Sequence, residues 1–527
     1  MKIKINSCEL YLYFAVWIWA NYYSLRKLLE SQNTILSHNQ PLQHTLVNLK
    51  PGWKMLSTLK DTSDVEWNIW IFFFGKIWYF LIANFIISSV IRKSLLPMYL
   101  KLWYFISSAI FIIFQMGSKH LLVFTVQPVL HLAIIICGGK VMSVWLTSLV
   151  FLIIYNSNKF QFFFWDYLDP ESKNDEQVYL ALMGIAWIEL RCISYCIDFI
   201  QEKAKNSRNE KSDNLYQDII NMFSYVFYLP ILYTGPIILY EEFNKSFNVQ
   251  NEDLPNKLKT FIKDMIIFSI YSFILDISLH YFYFYAMQSD MKMLSKLPTI
   301  ALCGGGLFMG LQFHMKYTIT YGTTAAFTAL DDIDPPPTPR CISRIHVYSQ
   351  MWRYFDVGLY KFLVKYIYKP CNSFLTSHSQ FPEMICKLMS SFATFVFIFI
   401  WHGVSSHILV WSVLNFMGVT LEHLGKAIAG CDMYNIFKIK VLRSDAMETR
   451  FIALLSTPLL ILSAISNFYL FAETEVGNLF FSCLLNPSLQ NSIIICLSMY
   501  CCCHVSMALE DVPSRTDKRK SIKCKSS

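Results

Sequence analysis

Two polar islands interrupt an otherwise apolar chain, and both carry side chains that exchange protons. The first is Tyr348-Ser349-Gln350-Met351-Trp352-Arg353-Tyr354-Phe355-Asp356-Val357-Gly358, with Trp352, Arg353 and Asp356 inside five residues. The second is Trp401-His402-Gly403, within the apolar run Phe392–Trp411 and 46 residues beyond Asp356 (402 − 356). An imidazole in a stretch apolar enough to lie in lipid is costly, so it faces a bundle interior or a wet cavity. Histidine is also the side chain best suited to proton exchange near neutral pH. Paired with a buried carboxylate, it can serve as a general base whose partner orients it or the incoming nucleophile. If the first island is helical, Trp352 and Asp356 stand at i and i+4 and share a face. Arg353, at i−3 from Asp356, offers the plainer alternative of an ion pair at a helix start. For His402 the plainer alternative is a satisfied core histidine. Gly403, Ser405, Ser406 and His407 follow it, however, and make this run polar enough for a cavity wall. His407 and His423 read as ordinary structural histidines.

The elements that must hold these islands are apolar. Of 527 residues, 54% are hydrophobic and only 16% charged, where a soluble domain carries roughly 25% charged residues. With a mean hydropathy of +0.37, the chain reads as a polytopic membrane protein in contact with lipid. The net charge of +8 lies largely in short clusters between apolar runs and in the tail, the pattern of cytoplasmic positive-inside loops. No basic stripe with interleaved aromatics lies outside the apolar segments, which argues against a nucleic-acid partner. The fifteen cysteines lie mostly in apolar runs without paired metal-type spacing, and read as small buried hydrophobes. Lys2 and Lys4 precede an apolar run with no small-residue cleavage site, so the first segment reads as an uncleaved anchor.

Spanning-length runs recur from Leu10–Leu25 to Ile493–Ala508. The expected architecture is an all-α polytopic protein of about 10–12 transmembrane and re-entrant helices around a central catalytic chamber. It forms one domain over residues 1–527, ending in a short basic cytosolic tail at 513–527. Breaks are expected at Cys303-Gly304-Gly305-Gly306 and at Tyr233-Thr234-Gly235-Pro236. The charged loop Gln201–Asn214 reads as cytoplasmic, and Asp331–Arg340, with three consecutive prolines, as a stiff linker. Lys523-Cys524-Lys525-Ser526-Ser527 resembles a Lys-x-Lys-x-x retrieval signal of endoplasmic reticulum membrane proteins, an ordinary solvated tail being the alternative.

A Trp-His-Gly run in an apolar segment, preceded by Asn or Asp in an amphipathic one, resembles the membrane-bound O-acyltransferase superfamily. Within it the chain is most similar to the Hedgehog acyltransferase branch. The residues that carry the likeness are Met351 to Leu359 with Phe362-Leu363, Trp401-His402-Gly403, and Leu414-Asn415-Phe416-Met417-Gly418-Val419-Thr420-Leu421-Glu422. Asp64-Val65-Glu66-Trp67, Gly235-Pro236 and Ser466-Asn467 support it. Where most of the superfamily has Asn, this chain has Asp356, as does the branch whose acceptor is a protein N-terminal amine. His402 is present, whereas a homologous branch regarded as inactive lacks it.

The resemblance implies transfer of palmitoyl from palmitoyl-CoA to the N-terminal cysteine amine of a secreted signalling protein such as a Hedgehog ligand, in the endoplasmic reticulum membrane or the Golgi. It implies His402 as general base and Asp356 as orienting group, and leaves open which of the two takes the amine proton. Trp352 and Arg353 would line the site, Arg353 near the CoA phosphates, and Asn467 would donate to the thioester oxygen. Cys341, fifteen residues before Asp356 (356 − 341), matches a position that ligates the iron of haem b in that branch. The alternatives are an acyltransferase of the same superfamily acting on a lipid alcohol or another peptide, or a transporter or non-catalytic regulator on the same scaffold.

Overall fold

In hydrocarbon, water cannot satisfy backbone N–H and C=O groups, so a spanning segment must bond to itself as a helix. The computed structural model follows that rule. It describes residues 5–38, 48–94, 97–171, 175–206, 215–248, 253–341 and 346–510. The basic tail with its retrieval-like motif, most of the Gln201–Asn214 loop and the four residues after Cys341 lie outside the described residues. Among the described residues eight helices, from Val65–Lys93 to Leu489–Glu510, are long and apolar enough to cross a membrane. The number becomes nine if Val141–Tyr155 and Asn158–Leu168, bent by 76°, form one span. Ser7–His38, Leu254–Ser278 and Thr299–Leu330 are also long helices but more polar. The chain is therefore an all-α, multi-pass protein, with one short antiparallel strand pair pairing Leu49 with Asp61.

Thr299–Leu330 is the central post: 22 of its 32 residues are buried. Ser7–His38, Leu254–Ser278 and Asp445–Phe471 pack around it. The break expected at Cys303–Gly306 does not occur, and the helix runs straight through. The glycines serve close approach instead: a Cβ on Gly304 would lie 2.2 Å from the Ser24 carbonyl oxygen of Ser7–His38. Glycine in a helix costs about 1 kcal/mol relative to alanine, and here the cost is offset by backbone-to-backbone contact.

The second expected break is real. After Leu215–Val226 and a single 3-10 turn, Leu229–Ile231, the chain runs irregularly to Leu239, and residues 224–240 are all buried. Side chains satisfy the freed backbone. Thr324 Oγ1 donates to the Gly235 carbonyl at 2.8 Å, Tyr225 Oη to that of Ile238 at 2.7 Å, and Ser194 Oγ accepts from the Tyr240 N–H at 3.0 Å. The proline linker is anchored at its start, where Asp331 accepts from Ser88 Oγ at 2.6 Å and Tyr228 Oη at 2.7 Å. Its end is anchored by the Arg340 N–H, which donates to the Tyr354 carbonyl at 3.0 Å.

Residues 348–363 form no single span. Two short helices, Tyr348–Phe355 and Val357–Leu363, meet at Asp356. The second continues through a π turn at Val364–Tyr368 into Lys369–His378.

Gly304→Ala is expected to separate the first helix from the central post, an overpacking cost of about 1–3 kcal/mol. The thermal midpoint of the detergent-purified protein should fall by several degrees. An unchanged midpoint would mean that the helix contact at Ser24 is slack.

Candidate active site

The two polar islands open onto one chamber of about 1240 Å³, larger than the roughly 300–1,000 Å³ of an ordinary small-ligand pocket. Asp356, His402 and Trp352 all line it; Arg353, Asn467 and Cys341 do not.

His402 is the last residue of the helix Glu383–His402. The chain turns sharply there because Gly403 adopts φ 116°, a conformation that side chains rarely tolerate. The imidazole is exposed to the chamber and makes no hydrogen bond among the described residues. Ring contacts orient it instead: Trp401 lies edge-on at 4.8 Å and Trp411 edge-on at 5.3 Å. Both tryptophans are held in turn. Trp401 Nε1 donates to the Ala186 carbonyl at 3.2 Å. Trp411 meets Trp352 edge-on at 5.1 Å, and Trp352 Nε1 donates to Asn415 Oδ1 at 2.9 Å. Asn415, fully buried, donates to the Trp411 carbonyl at 2.7 Å.

Asp356 ends one helix and caps the next, with Oδ1 accepting from the Leu359 N–H at 2.8 Å. It does not share a continuing helix face with Trp352, because the helix stops at Phe355. The ion pair with Arg353 is also absent. Arg353 is exposed, its guanidinium lying 5.6 Å from the Tyr354 ring and 5.9 Å from that of Tyr360. Asp356 is buried, and among the described residues it has no cationic partner; the Tyr321 hydroxyl of the central post is close enough to favour its ionised form. Burial pushes its carboxyl up to about 6, against the opposing pull of the Leu359 N–H and the Tyr321 hydroxyl. Gly358 is required beside it, since a Cβ there would lie 2.2 Å from the Ile237 oxygen of the irregular segment.

A second charged group lines the chamber. Lys316 Nζ lies 2.9 Å from Asp64 Oδ2 and 2.8 Å from Glu66 Oε2. Asp64 also caps the helix Val65–Ser94 through the Trp67 N–H at 3.0 Å. Tyr321, Lys316 and Trp411 were missed from sequence. Tyr321 and Lys316 lie on a helix whose polar residues have no motif, and Trp411 reads as one aromatic among many.

Asn467 sits behind the chamber wall, its Nδ2 3.6 Å from Met351 Sδ and its Oδ1 without a partner in the structure. Cys341 is half-buried and lies electrostatically close to Cys502. Among the described residues no group of three His, Cys, Asp or Glu side chains could hold a metal ion, and Cys341 borders neither the chamber nor the shallow groove on Leu254–Ser278. A haem at Cys341 thus finds no support among the described residues, and no step here runs through one.

Tyr321→Phe removes a hydroxyl that favours the ionised carboxylate, so the Asp356 pKa should rise further above 6. Infrared difference spectra, with Asp356→Asn to assign the band, should show a protonated carboxyl persisting to higher pH. A band that disappears at the same pH in both proteins would contradict the Tyr321 contact.

Residues 131–428 match the membrane-bound O-acyltransferase family, MBOAT, an interval that contains both Asp356 and His402. Protein-cysteine N-palmitoyltransferase Rasp of Drosophila melanogaster is 31% identical over 342 residues, covering 64% of this chain and 65% of Rasp. Protein-cysteine N-palmitoyltransferase HHAT of Mus musculus is 26% identical over 378 residues, 69% of this chain and 71% of that protein. Membrane-bound O-acyltransferase GUP2 of Saccharomyces cerevisiae is 28% identical over 236 residues, 42% of this chain and 36% of that protein. The match thus spans just under two thirds of Rasp. With His402 and Asp356 facing one chamber inside the matched interval, the chain belongs to the membrane-bound O-acyltransferase family and within it resembles the protein-cysteine N-palmitoyltransferases.

Proposed function

We propose that this protein transfers palmitoyl from palmitoyl-CoA to the N-terminal cysteine amine of a secreted protein of the Hedgehog type, in the endoplasmic reticulum or Golgi membrane. The observation that carries the reading is Asp356, buried without a cationic partner among the described residues and on the same chamber as His402. A carboxylate so placed is suited to an incoming ammonium group. The rest of the lining agrees: among the described residues the carboxylates Asp64, Glu66, Asp356, Glu473 and Glu475 outnumber the lysines Lys316 and Lys369, the other titratable bases there being His402, His407 and His423. That charge balance favours a cationic acceptor over a neutral alcohol. The apolar part of the chamber suits a long acyl chain, each buried methylene contributing roughly 0.8 kcal/mol.

In this mechanism Asp356 holds the acceptor ammonium and His402, with both ring nitrogens uncommitted, takes its proton. The amine nitrogen attacks the thioester carbonyl and gives up a second proton to Asp356, and from there to solvent, as the amide forms; the carbon–sulfur bond breaks and CoA leaves as its thiol with the proton returned from His402. Trp352 and Trp411 keep the imidazole aimed. Arg353 is exposed and does not line the chamber, so in this reading it serves the CoA phosphates rather than the reacting atoms, while Asn467 stays behind the wall against Met351. The GUP relatives are named O-acyltransferases, which supports the second reading, a hydroxyl acceptor.

The test is transfer of labelled palmitoyl from CoA by purified protein to a peptide with a free N-terminal cysteine, beside its N-acetylated form and a lipid alcohol. Label on the free amine alone is expected. His402→Ala should cost about 10²–10⁴-fold, the usual worth of a general base. Transfer should fall as pH drops through about 6, where Asp356 takes up its proton, and Asp356→Asn should be slow at every pH without that limb. Label on the alcohol and not on the peptide would overturn the amine acceptor.

A further inference from the structure

The catalytic histidine of this reading stands at the frayed end of a helix, where the last carbonyls have no partner within the helix. Gly403 ends the helix with φ 116°, and the described residues contain no hydrogen bond to the imidazole itself. What fixes the turn comes from elsewhere in the chain. Asn156, the residue that follows the helix Val141–Tyr155, reaches across to it. Its Nδ2 donates to the Ile400 carbonyl at 3.0 Å, and its Oδ1 accepts from the Val404 N–H at 2.6 Å. The two bonds straddle His402, one on each side of the turn. The same Nδ2 also donates to the Leu152 carbonyl at 2.7 Å, which ties the carboxamide to its own helix.

We infer that Asn156 is a positioning residue for His402: its carboxamide closes the end of the His402 helix from a neighbouring helix and so sets where the imidazole enters the chamber. Each polar atom of the carboxamide has a partner of the matching sense, which only one orientation allows. A side chain that supplied only an acceptor would meet the Ile400 and Leu152 carbonyls with repulsion, and an alkyl side chain would leave both sides of the turn open. The imidazole is oriented by ring contacts alone, so a small shift of the backbone at residues 400–404 passes directly to its ring. Misplacement of a catalytic group by about 1 Å can cost on the order of 10²-fold in rate.

This inference rests on the acyltransfer reading, and its test separates the two. Asn156→Ala and Asn156→Asp are compared with the wild type in three measurements: transfer kinetics on the cysteine peptide, thermal midpoint in detergent, and backbone hydrogen exchange over residues 400–406. Both variants should exchange faster over 400–406, and kcat should fall between about 10- and 100-fold. KM for palmitoyl-CoA and the thermal midpoint should stay close to wild type. Unchanged exchange would overturn the clamp, whatever the protein's substrate. Faster exchange with unchanged kcat, or a fall in kcat matched by a large fall in midpoint, would overturn the positioning role. If the wild type transfers to neither acceptor, the acyltransfer reading fails, the positioning role falls with it, and the exchange arm alone still decides whether the clamp exists.

Discussion

Backbone groups inside a membrane must find partners within the protein, and this constraint shapes the molecule at every point where the chain departs from a helix. Three such departures bear on the polar pair in the chamber: the irregular run 232–239, the junction at Asp356, and the turn at Gly403. Each is supported by side chains. Thr324, Tyr225 and Ser194 serve the first, the Asp356 carboxylate itself serves the second, and Asn156 serves the third. The run 232–239 and Asp356 are buried, and these departures bring polar side chains to the cavity wall. Gly358 joins two of them, pressing the Asp356 junction against the backbone at Ile237.

Charge in this chamber is distributed in a way that fits its use. Lys316 is held by two carboxylates, and Asp64 also serves the start of a helix, so that group is accounted for within the fold. Asp356 is not. It accepts from the Leu359 N–H and, among the described residues, meets no cation, which leaves its ionised form incompletely compensated in a buried place. Such a carboxylate is costly in the absence of a ligand and well suited to a cationic one. His402 is the complementary case, an imidazole held by aromatic edges with neither nitrogen committed. The aromatic chain from His402 through Trp411 and Trp352 ends on Asn415, so one buried hydrogen bond at 2.9 Å anchors three rings.

Composition and run length alone sufficed for the class of fold, because lipid imposes a hydropathy threshold that any spanning helix must meet. His402 and Asp356 were legible for a related reason: titratable groups in apolar runs are expensive and therefore conspicuous. The glycine triplet at 304–306 was misread as a break, since glycine is equally suited to ending a helix and to letting two helices touch, and nothing local distinguishes the two. The ion pair between Arg353 and Asp356 failed likewise. Spacing put them within reach on a helix, but the helix ended one residue too soon. What only the tertiary structure decided is which distant residues meet the site. Tyr321 reaches Asp356 across 35 positions of sequence (356 − 321) and Asn156 reaches the His402 turn across 248 (404 − 156). No periodicity encodes such meetings, because they depend on how whole helices pack, and that is set by the summed fit of many side chains rather than by any segment of the chain.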